Sequence, residues 1–572
     1  MHTLIKQYIP AIDWLGSYNR DDLLGDLTAG IITAILLVPQ AMAYSILAGL
    51  PPEVGLYASI LPPILYALFG SSRALAVGPV AVASLMVASA LSQYATVGTG
   101  DYYAAALILA FLIGGFLFLM GIARLGFMAN FLSHPVMSGF TSAAAIVIAF
   151  SQLRHLLGLQ LPRGLRIDGI SIFVFNHLSD INISALIIST TSIVMLVLMR
   201  RYLGGILNRL HMPNGLAQGL SKAGPLLLVV AMTSVTAIMS LDTVTGLKVI
   251  GAIPAGLPSL TLPQFDLTIW RDLAPSAALI ALVSFVESIA IARVLGSKRR
   301  QKVDVDQELI GLGFANMGAA FTGGSPVCGG FSRSVVNLSA GANTQLASIV
   351  TAILIGLSVM FFTPLFYFLP QAVLAAIIVV AVLGLVDFSV FVTSWKYNKG
   401  DAMSLLATFI VVMSEGIEAG IASGVVLSVA LHLWRNSRPH IAIVGRVGDT
   451  EHFRNVERHQ VKTCKEVLAL RVDESLFFAN AQYLETYILK AVAEKQTVKS
   501  VILICSAINT IDTSALESLE NLARDLTNGG VVLNLAEVKG PVMDRLSRTS
   551  LFNHLGKIYL STHEAFTDLE CA

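Results

Sequence analysis

Charge is what this chain has least of. Only 13% of its 572 residues are Asp, Glu, Lys or Arg, against about 25% in an ordinary soluble domain. A shortfall of that size excludes a fold that is solvated throughout. The formal net charge of +1 also excludes the basic footprint of a nucleic-acid binder. Cysteine is scarce too: Cys328, Cys464, Cys505 and Cys571 stand far apart with no CxxC or metal spacing. That argues against a disulfide framework and fits a reducing compartment for any soluble part. The sequence has no HExxH, no P-loop and no acidic cluster with metal spacing. An ATP-driven pump or a membrane-embedded enzyme is therefore not expected, and neither is a cofactor or a bound metal. Residues 1–25 lack an apolar h-region and a small-residue cleavage site, so they do not read as a secretory signal. They are expected to form a cytoplasmic segment lying along the inner membrane surface.

What the chain does have is apolar sequence: 55% hydrophobic residues and a mean hydropathy of +0.74. Apolar runs recur up to residue 435 or so, after which runs shorten and charges become frequent. This divides the chain into an N-terminal segment (1–25), a transmembrane domain (26–436) and a cytoplasmic domain (437–572). Candidate spans begin near residues 26, 52, 79, 104, 130, 184, 224, 274, 308, 327, 345, 366, 401 and 417, giving about fourteen segments against the roughly 20 residues a full span needs. The segments near 79 and 327 are too short and open on Gly-Pro and Ser-Pro, as half-helices would.

The basic residues set the orientation. Loops after even-numbered segments hold Arg73; Arg124; Arg200, Arg201, Arg209 and Lys222; Lys298, Arg299, Arg300 and Lys302; Lys396 and Lys399; Arg435 and Arg438. Loops after odd-numbered segments hold fewer, chiefly Arg154, Arg163, Arg166, Lys248 and Arg271. The positive-inside rule then places both termini in the cytoplasm of a multi-pass protein of the cell's inner (plasma) membrane. The short segments are third in each set of seven, and an odd number of spans per set inverts one set relative to the other. That is the pattern of an inverted repeat with a binding site at broken helices.

The breaks read LAVGPVAVASL (75–85) and GGSPVCGGFSRSVVN (323–337). Proline suits the first helical position, where its missing N–H costs nothing. Two helix N-termini meeting at the bilayer centre would present free N–H groups and positive dipole ends to one anion. Gly329 and Gly330 would let backbone approach a ligand, Ser332 would add a hydroxyl and Arg333 a full charge. The alternative for Arg333 is a helix-end arginine that snorkels to an interface or pairs with Glu287. Glu287, in ALVSFVESIAIARVLG, is costly in mid-span unless paired or protonated. It reads either as a coupling group, neutral with the anion bound and charged without it, or as a permanent partner of Arg333 or Arg293. Gln40 and Tyr44, one turn apart after Pro39, either line a cavity or serve a kinked helix. Cys328 reads as a small filler, and Glu415 and Glu418 as a polar turn or gate scaffold outside the site.

These residues carry a resemblance. VPQAMAYSILAGLPPEVGLYAS, ALAVGPVAVASL and QELIGLGFANMGAAFTGGSPVCGGFSRSVVNLSAGANTQLASIV closely resemble the SulP family of sulfate permeases and prestin- and pendrin-like proteins, in order and over nearly the whole chain. The resemblance implies an α-helical polytopic membrane protein of fourteen segments in two inverted seven-span repeats, divided into core and gate domains and followed by an α/β STAS domain. It further implies a homodimer and an elevator-like step. Its anion site falls on Gln40, Tyr44, Val80, Ala81, Gly330, Phe331, Ser332 and Arg333, with Glu287 beside them for proton coupling. Sodium-coupled bicarbonate members carry an Asp at the place of Glu287, and hydroxyl residues where this chain has Ile291 and Phe331. Those side chains offer no oxygen to a hard cation.

The expected function is secondary active transport of small anions, most simply proton-coupled sulfate uptake. A dicarboxylate such as succinate or fumarate, or bicarbonate, is the alternative substrate, and an uncoupled anion channel the alternative of another class. Expected partners are the anion, protons, membrane lipid, a second copy of the chain, and a cytoplasmic protein reached through the STAS domain. In that domain VLALRVDESLFFANA reads as two strands joined by a turn, VKSVILIC as a buried strand, VVLNLAEV as another strand, and INTIDTSALESLENLARDLTNGG as a helix capped by Asp512 and ended at Gly529. PVMDRLSRTSLFNHLG reads as a helix begun by Pro541. Thr513 and Ser514 stand where STAS domains in signalling are phosphorylated, and equally where a helix cap needs a hydroxyl.

Overall fold

The computed structural model describes the chain except residues 1–8, 17, 132, 162–165, 204, 206–223, 264 and 570–572. Arg163, Arg209, Lys222 and Cys571, all used in the sequence reading, lie outside the described residues. Two compact units emerge, Met1–Val426 and Leu427–Ala572.

In the first unit a helix stands at each place where a segment was expected. They are α1 (Arg20–Leu47), α2 and α3 (Pro52–Tyr57 and Leu61–Phe69), α4 (Ala81–Ser92), α5 (Gly100–Ile122), α6 (His134–Ser151), α7 (Ile183–Leu198) and α8 (Gly224–Ile238). The second set runs α9 (Leu267–Lys298), α10 (Val305–Phe321), α11 (Phe331–Ser339), α12 (Leu346–Phe361), α13 (Gln371–Leu383), α14 (Lys399–Glu415) and α15 (Ile417–Asn436). Among the described residues, seven helical stretches are long and apolar enough to cross a membrane unaided. With 12 and 9 residues, α4 and α11 reach only ~18 and ~14 Å at 1.5 Å per residue, about half of a ~30 Å hydrocarbon core.

Packing sorts these helices into two groups. In one, α10 lies against α5 and α3, α9 against α5, and α12 and α11 against α1. In the other, α14 and α13 pack on α6, and α7 on α13. Each group mixes helices from both halves of the chain, which is how two interleaved repeats bury each other's apolar faces. Small residues set the spacing: a Cβ on Gly114 or Gly313 would come within 3 Å of the facing helix's backbone. At Gly416, φ of +102° lets α14 turn directly into α15.

Buried carboxylates fasten the ends. Glu308, fully buried on the first turn of α10, accepts from Tyr66 Oη at 2.7 Å, from Ser71 N and Oγ at 2.8 Å, and from Ser72 N at 2.9 Å. It thereby fixes the turn that leads from α3 into the first break. Asp26 does the same for the turn after α11, accepting from Asn343 N at 2.6 Å and Thr344 N at 2.9 Å. Glu308→Ala would strand up to four donors, at about 1–3 kcal/mol for each left buried and unpaired. The expected outcome in a detergent melting assay is a marked drop in Tm or no folded protein. Tyr66→Phe, which removes one bond, is expected to lower Tm by a few degrees.

The second unit is an α/β domain on a six-stranded sheet. Its strands are β3 (Ile441–Arg446), β4 (Phe453–Asn455), β5 (Val467–Val472), β6 (Ser500–Ile504), β7 (Val532–Ala536) and β8 (Ile558–Tyr559), numbered after two short strands, β1 and β2, of the first unit. The order is β4-β3-β5-β6-β7-β8, antiparallel up to β5 and parallel beyond it. Alternation decides the faces: Leu468 and Leu470 join Leu484, Ile488, Leu519 and Leu522 on one side, and Val467 and Ala469 join Ala565 and Phe566 on the other. Helices α16 (Ala481–Glu494), α17 (Thr513–Asn528), α18 (Gly540–Leu546) and α19 (Thr562–Asp568) complete it. As expected, Asp512 caps α17 through Ala515 N, Gly529 ends it, and Pro541 opens α18. Thr513 and Ser514 are exposed on the first turn of α17.

Two expectations fail here. The residues after β5 form no second strand. Asn480 takes Phe477 N on its Oδ1 and starts α16, and Phe478 is 69% exposed, so the apolar FF pair is not a core run. Cys464 is disulfide-bonded, whereas Cys328 and Cys505 are free and buried. The wide sequence spacing of the cysteines did not show this.

Candidate anion site

Both breaks become short strands that cross at one point. β1 (Val77–Gly78) pairs antiparallel with β2 (Cys328–Gly329), Val77 opposite Gly329 and Gly78 opposite Cys328. Immediately beyond, α4 starts after Val80 and α11 after Gly330, both in extended conformation and both without a side-chain cap. Uncapped helix starts leave their first N–H groups without intrahelical partners. Two such ends, each worth roughly half a positive charge, therefore sit at the crossing.

Arg333 folds back over that crossing. It is 2% exposed, and its Nη1 donates to the carbonyl of Pro79 at 2.6 Å. Its Nε and Nη2 are buried with no hydrogen-bond partner. A guanidinium with two idle donors in a dry interior costs a good deal unless something accepts from it. Its electrostatic neighbours are Tyr44, Cys328 and Glu287. The helix-end snorkel considered for Arg333 does not form. Neither does the permanent ion pair: among the described residues Glu287 has no salt bridge to Arg333 or Arg293, and Arg293 is exposed.

Gln40 (5% exposed) and Tyr44 (8%) lie buried on α1, on the turn that follows Pro39. Val80 and Ala81 stand at the start of α4. On the first turn of α11, Phe331 (50% exposed) and Ser332 face open space while Arg333 and Ser334 point inward. The structure thus joins Tyr44, Glu287, Gly330 and Arg333 around one point, with Phe331 and Ser332 exposed on the same turn of α11. The glycines do a different job from the one expected. A Cβ on Gly330 would come within 2.8 Å of Arg333 Nη2, and one on Gly329 within 2.7 Å of Leu75. They make room for the arginine and for packing rather than for a ligand's approach.

A set of buried polar side chains that the sequence reading passed over holds the crossing in shape. Ser334 Oγ donates to Gly330 O at 2.7 Å and accepts from Ala76 N at 2.9 Å. Ser288 Oγ accepts from Gly329 N at 2.8 Å. Asn316 grips both the N–H and the carbonyl of Val327 at 2.9 Å, and Gln345 Nε2 donates to the carbonyls of Ser72 and Leu75. The available signal was an amide or hydroxyl inside an otherwise apolar helix, as at Asn316 in GFANMG.

The profile of the sulfate permease family matches residues 23–408. The chain belongs to that family. A STAS domain matches residues 458–565, so this sulfate permease family member carries its α/β domain after the helices, as the resemblance implied. A probable sulfate transporter of Arabidopsis thaliana, number 4.2, is 35% identical over 98% of this chain and 83% of its own. A probable sulfate transporter of Mycobacterium tuberculosis is 32% identical over 97% and 96%. Among solved structures, SLC26A9 superposes with a TM-score of 0.92 at 24% identity, over 100% of this chain and 94% of its own. The transmembrane domain of the cyanobacterial bicarbonate transporter BicA gives 0.60 at 23%, over 72% and 98%. At those identities the structures show a shared fold. The chain is a polytopic membrane protein of that fold.

Proposed function

We propose that this protein is a secondary active transporter of small oxyanions, sulfate first among them, with the anion bound between the N-termini of α4 and α11. The observation that carries this is Arg333: buried, tied by one nitrogen to Pro79, and left with Nε and Nη2 unpartnered beside two uncapped helix ends. A planar fork of donors is suited to two oxygens of one anion. The choice of sulfate rests on the names of the relatives at 30–35% identity.

Coupling to protons is part of the proposal. A dianion, Arg333 and two helix ends of roughly half a charge each come close to cancelling if Glu287 is neutral. With the site empty, an ionised Glu287 offsets Arg333 and leaves only the partial charges of the two helix ends. One proton therefore accompanies each loaded transit through lipid. Ile291 and Phe331, hydrocarbon where a sodium site would need oxygen, support protons over sodium. The two helix groups are proposed to slide past each other as core and gate, in a homodimer with both termini cytoplasmic.

Competition tests the substrate assignment. Uptake of labelled sulfate into proteoliposomes is measured against unlabelled bicarbonate, succinate and fumarate. Sulfate should compete best, and displacement by a dicarboxylate or bicarbonate at lower concentration would reassign the site.

A further inference from the structure

At the turns that the proposed topology places outside, two cavities of about 940 and 350 Å3 adjoin. The larger lies over the turn after α1, at Gly49–Pro52, and the 92–98 loop. The smaller descends between α1 and α4 on one side and α6 and the α14–α15 junction on the other. Its walls include Leu47 and Leu85, about one helical turn beyond Tyr44 and Ala81 of the anion site.

His155 lines both cavities, and it also lines a water-sized void of about 10 Å3 that it shares with Arg154, Lys248 and Gln371. Arg154, on the same turn after α6, donates from Nε to the neutral carbonyl of Ser151 at 3.2 Å. Across the smaller cavity Arg166 forms a two-pronged pair with Glu415, at 2.7 and 3.3 Å. Among the described residues, the charged side chains lining the three voids are Arg154, Arg166 and Lys248, with Glu415 as the acidic one and His155 between them. A funnel with low-dielectric walls and a surplus of one sign concentrates ions of the other sign.

We propose that this vestibule is a second, outer anion site, in which Arg154 and His155 hold a small oxyanion before it passes to Arg333. The proposal rests on the anion-transport reading and deepens it. Glu415 sets the strength of the site by cancelling Arg166. Loose binding fits the station, because the lining is partly open to water and the anion must leave it again.

The test separates the two faces of the membrane. Sulfate concentration dependence is measured for uptake into intact cells, where the vestibule faces the added anion, and into inside-out vesicles, where it does not. Arg154→Gln and His155→Gln should each raise KM about five- to twentyfold in cells, with the saturated rate falling less than KM rises, and should leave KM in inside-out vesicles near wild type. Added inert salt should depress wild-type uptake in cells more than that of Arg154→Gln. Glu415→Gln should lower KM in cells two- to fivefold, a gain that a misfolded protein cannot produce. Equal KM changes on both faces, or an unchanged KM in cells for all three variants, overturns the outer site. Wild-type protein that moves no anion at all overturns the transport reading beneath it.

Discussion

Arg333→Gln is expected to remove sulfate uptake almost entirely while leaving a folded protein. Among the described residues Arg333 is the one full positive charge at the crossing, and its unpartnered Nε and Nη2 are the donors an oxyanion would use. Losing one partner of a buried charge-assisted pair costs about 2–5 kcal/mol, or about 30-fold to beyond 1,000-fold in affinity. Glutamine keeps a neutral N–H donor near the position of Nε, short of the Nη1 that reaches Pro79, and lacks the charge. Arg333→Lys keeps the charge but not the fork, and should recover only a small part of the activity. Tracer uptake checks this, with sulfate-dependent thermal stabilisation as a second readout. The stabilisation should vanish in Arg333→Gln while the ligand-free Tm shifts little. Near-normal uptake in Arg333→Gln would remove the arginine from the site.

The second large effect belongs to Glu287→Gln. A permanently neutral group mimics the loaded, protonated state, so the variant should exchange sulfate for sulfate and should no longer be driven by a proton gradient. The expected reading is a ratio of gradient-driven to gradient-free uptake that falls to about one, with counterflow retained. A structural role would show the reverse pattern: counterflow and driven uptake lost together, with a lowered Tm. The absence of an ion pair from Glu287 to Arg333 or Arg293 among the described residues leaves the carboxyl able to change its charge without breaking a bridge.

Much of this site was legible because broken membrane helices leave a local mark. Gly-Pro and Ser-Pro inside apolar runs, followed by a lone Arg333, indicate two interrupted spans and a charge in one line of sequence. What was not legible is long-range. That Val77 pairs with Gly329, or that Ser334 bridges to Ala76, depends on contacts some 250 residues apart, and a serine on a helix bonds its own backbone far more often. Gly330 was misread for the same reason: the atom that needs the space is the guanidinium of Arg333, which returns over its own helix start. In the STAS domain, short apolar runs located β5, β6 and β7, of which β6 is buried along its whole length. The FFANA stretch failed because two adjacent aromatics look like core, whereas Asn480, buried and holding the Phe477 N–H, turns the chain into a helix. The outer vestibule left little trace, since Arg154, Lys248 and Glu415 lie far apart in sequence and only the fold brings Arg154 to one void with Glu415 and to another with Lys248.

The transport proposed for this chain is concentrative, proton-driven and selective for oxyanions. The most direct test is labelled sulfate uptake by the purified full-length chain in proteoliposomes, acid outside, with and without sodium. The expected result is a transient accumulation above equilibrium that collapses with a protonophore and is indifferent to sodium. Accumulation that requires sodium, or sulfate flux that only equilibrates whatever the pH difference, would contradict it.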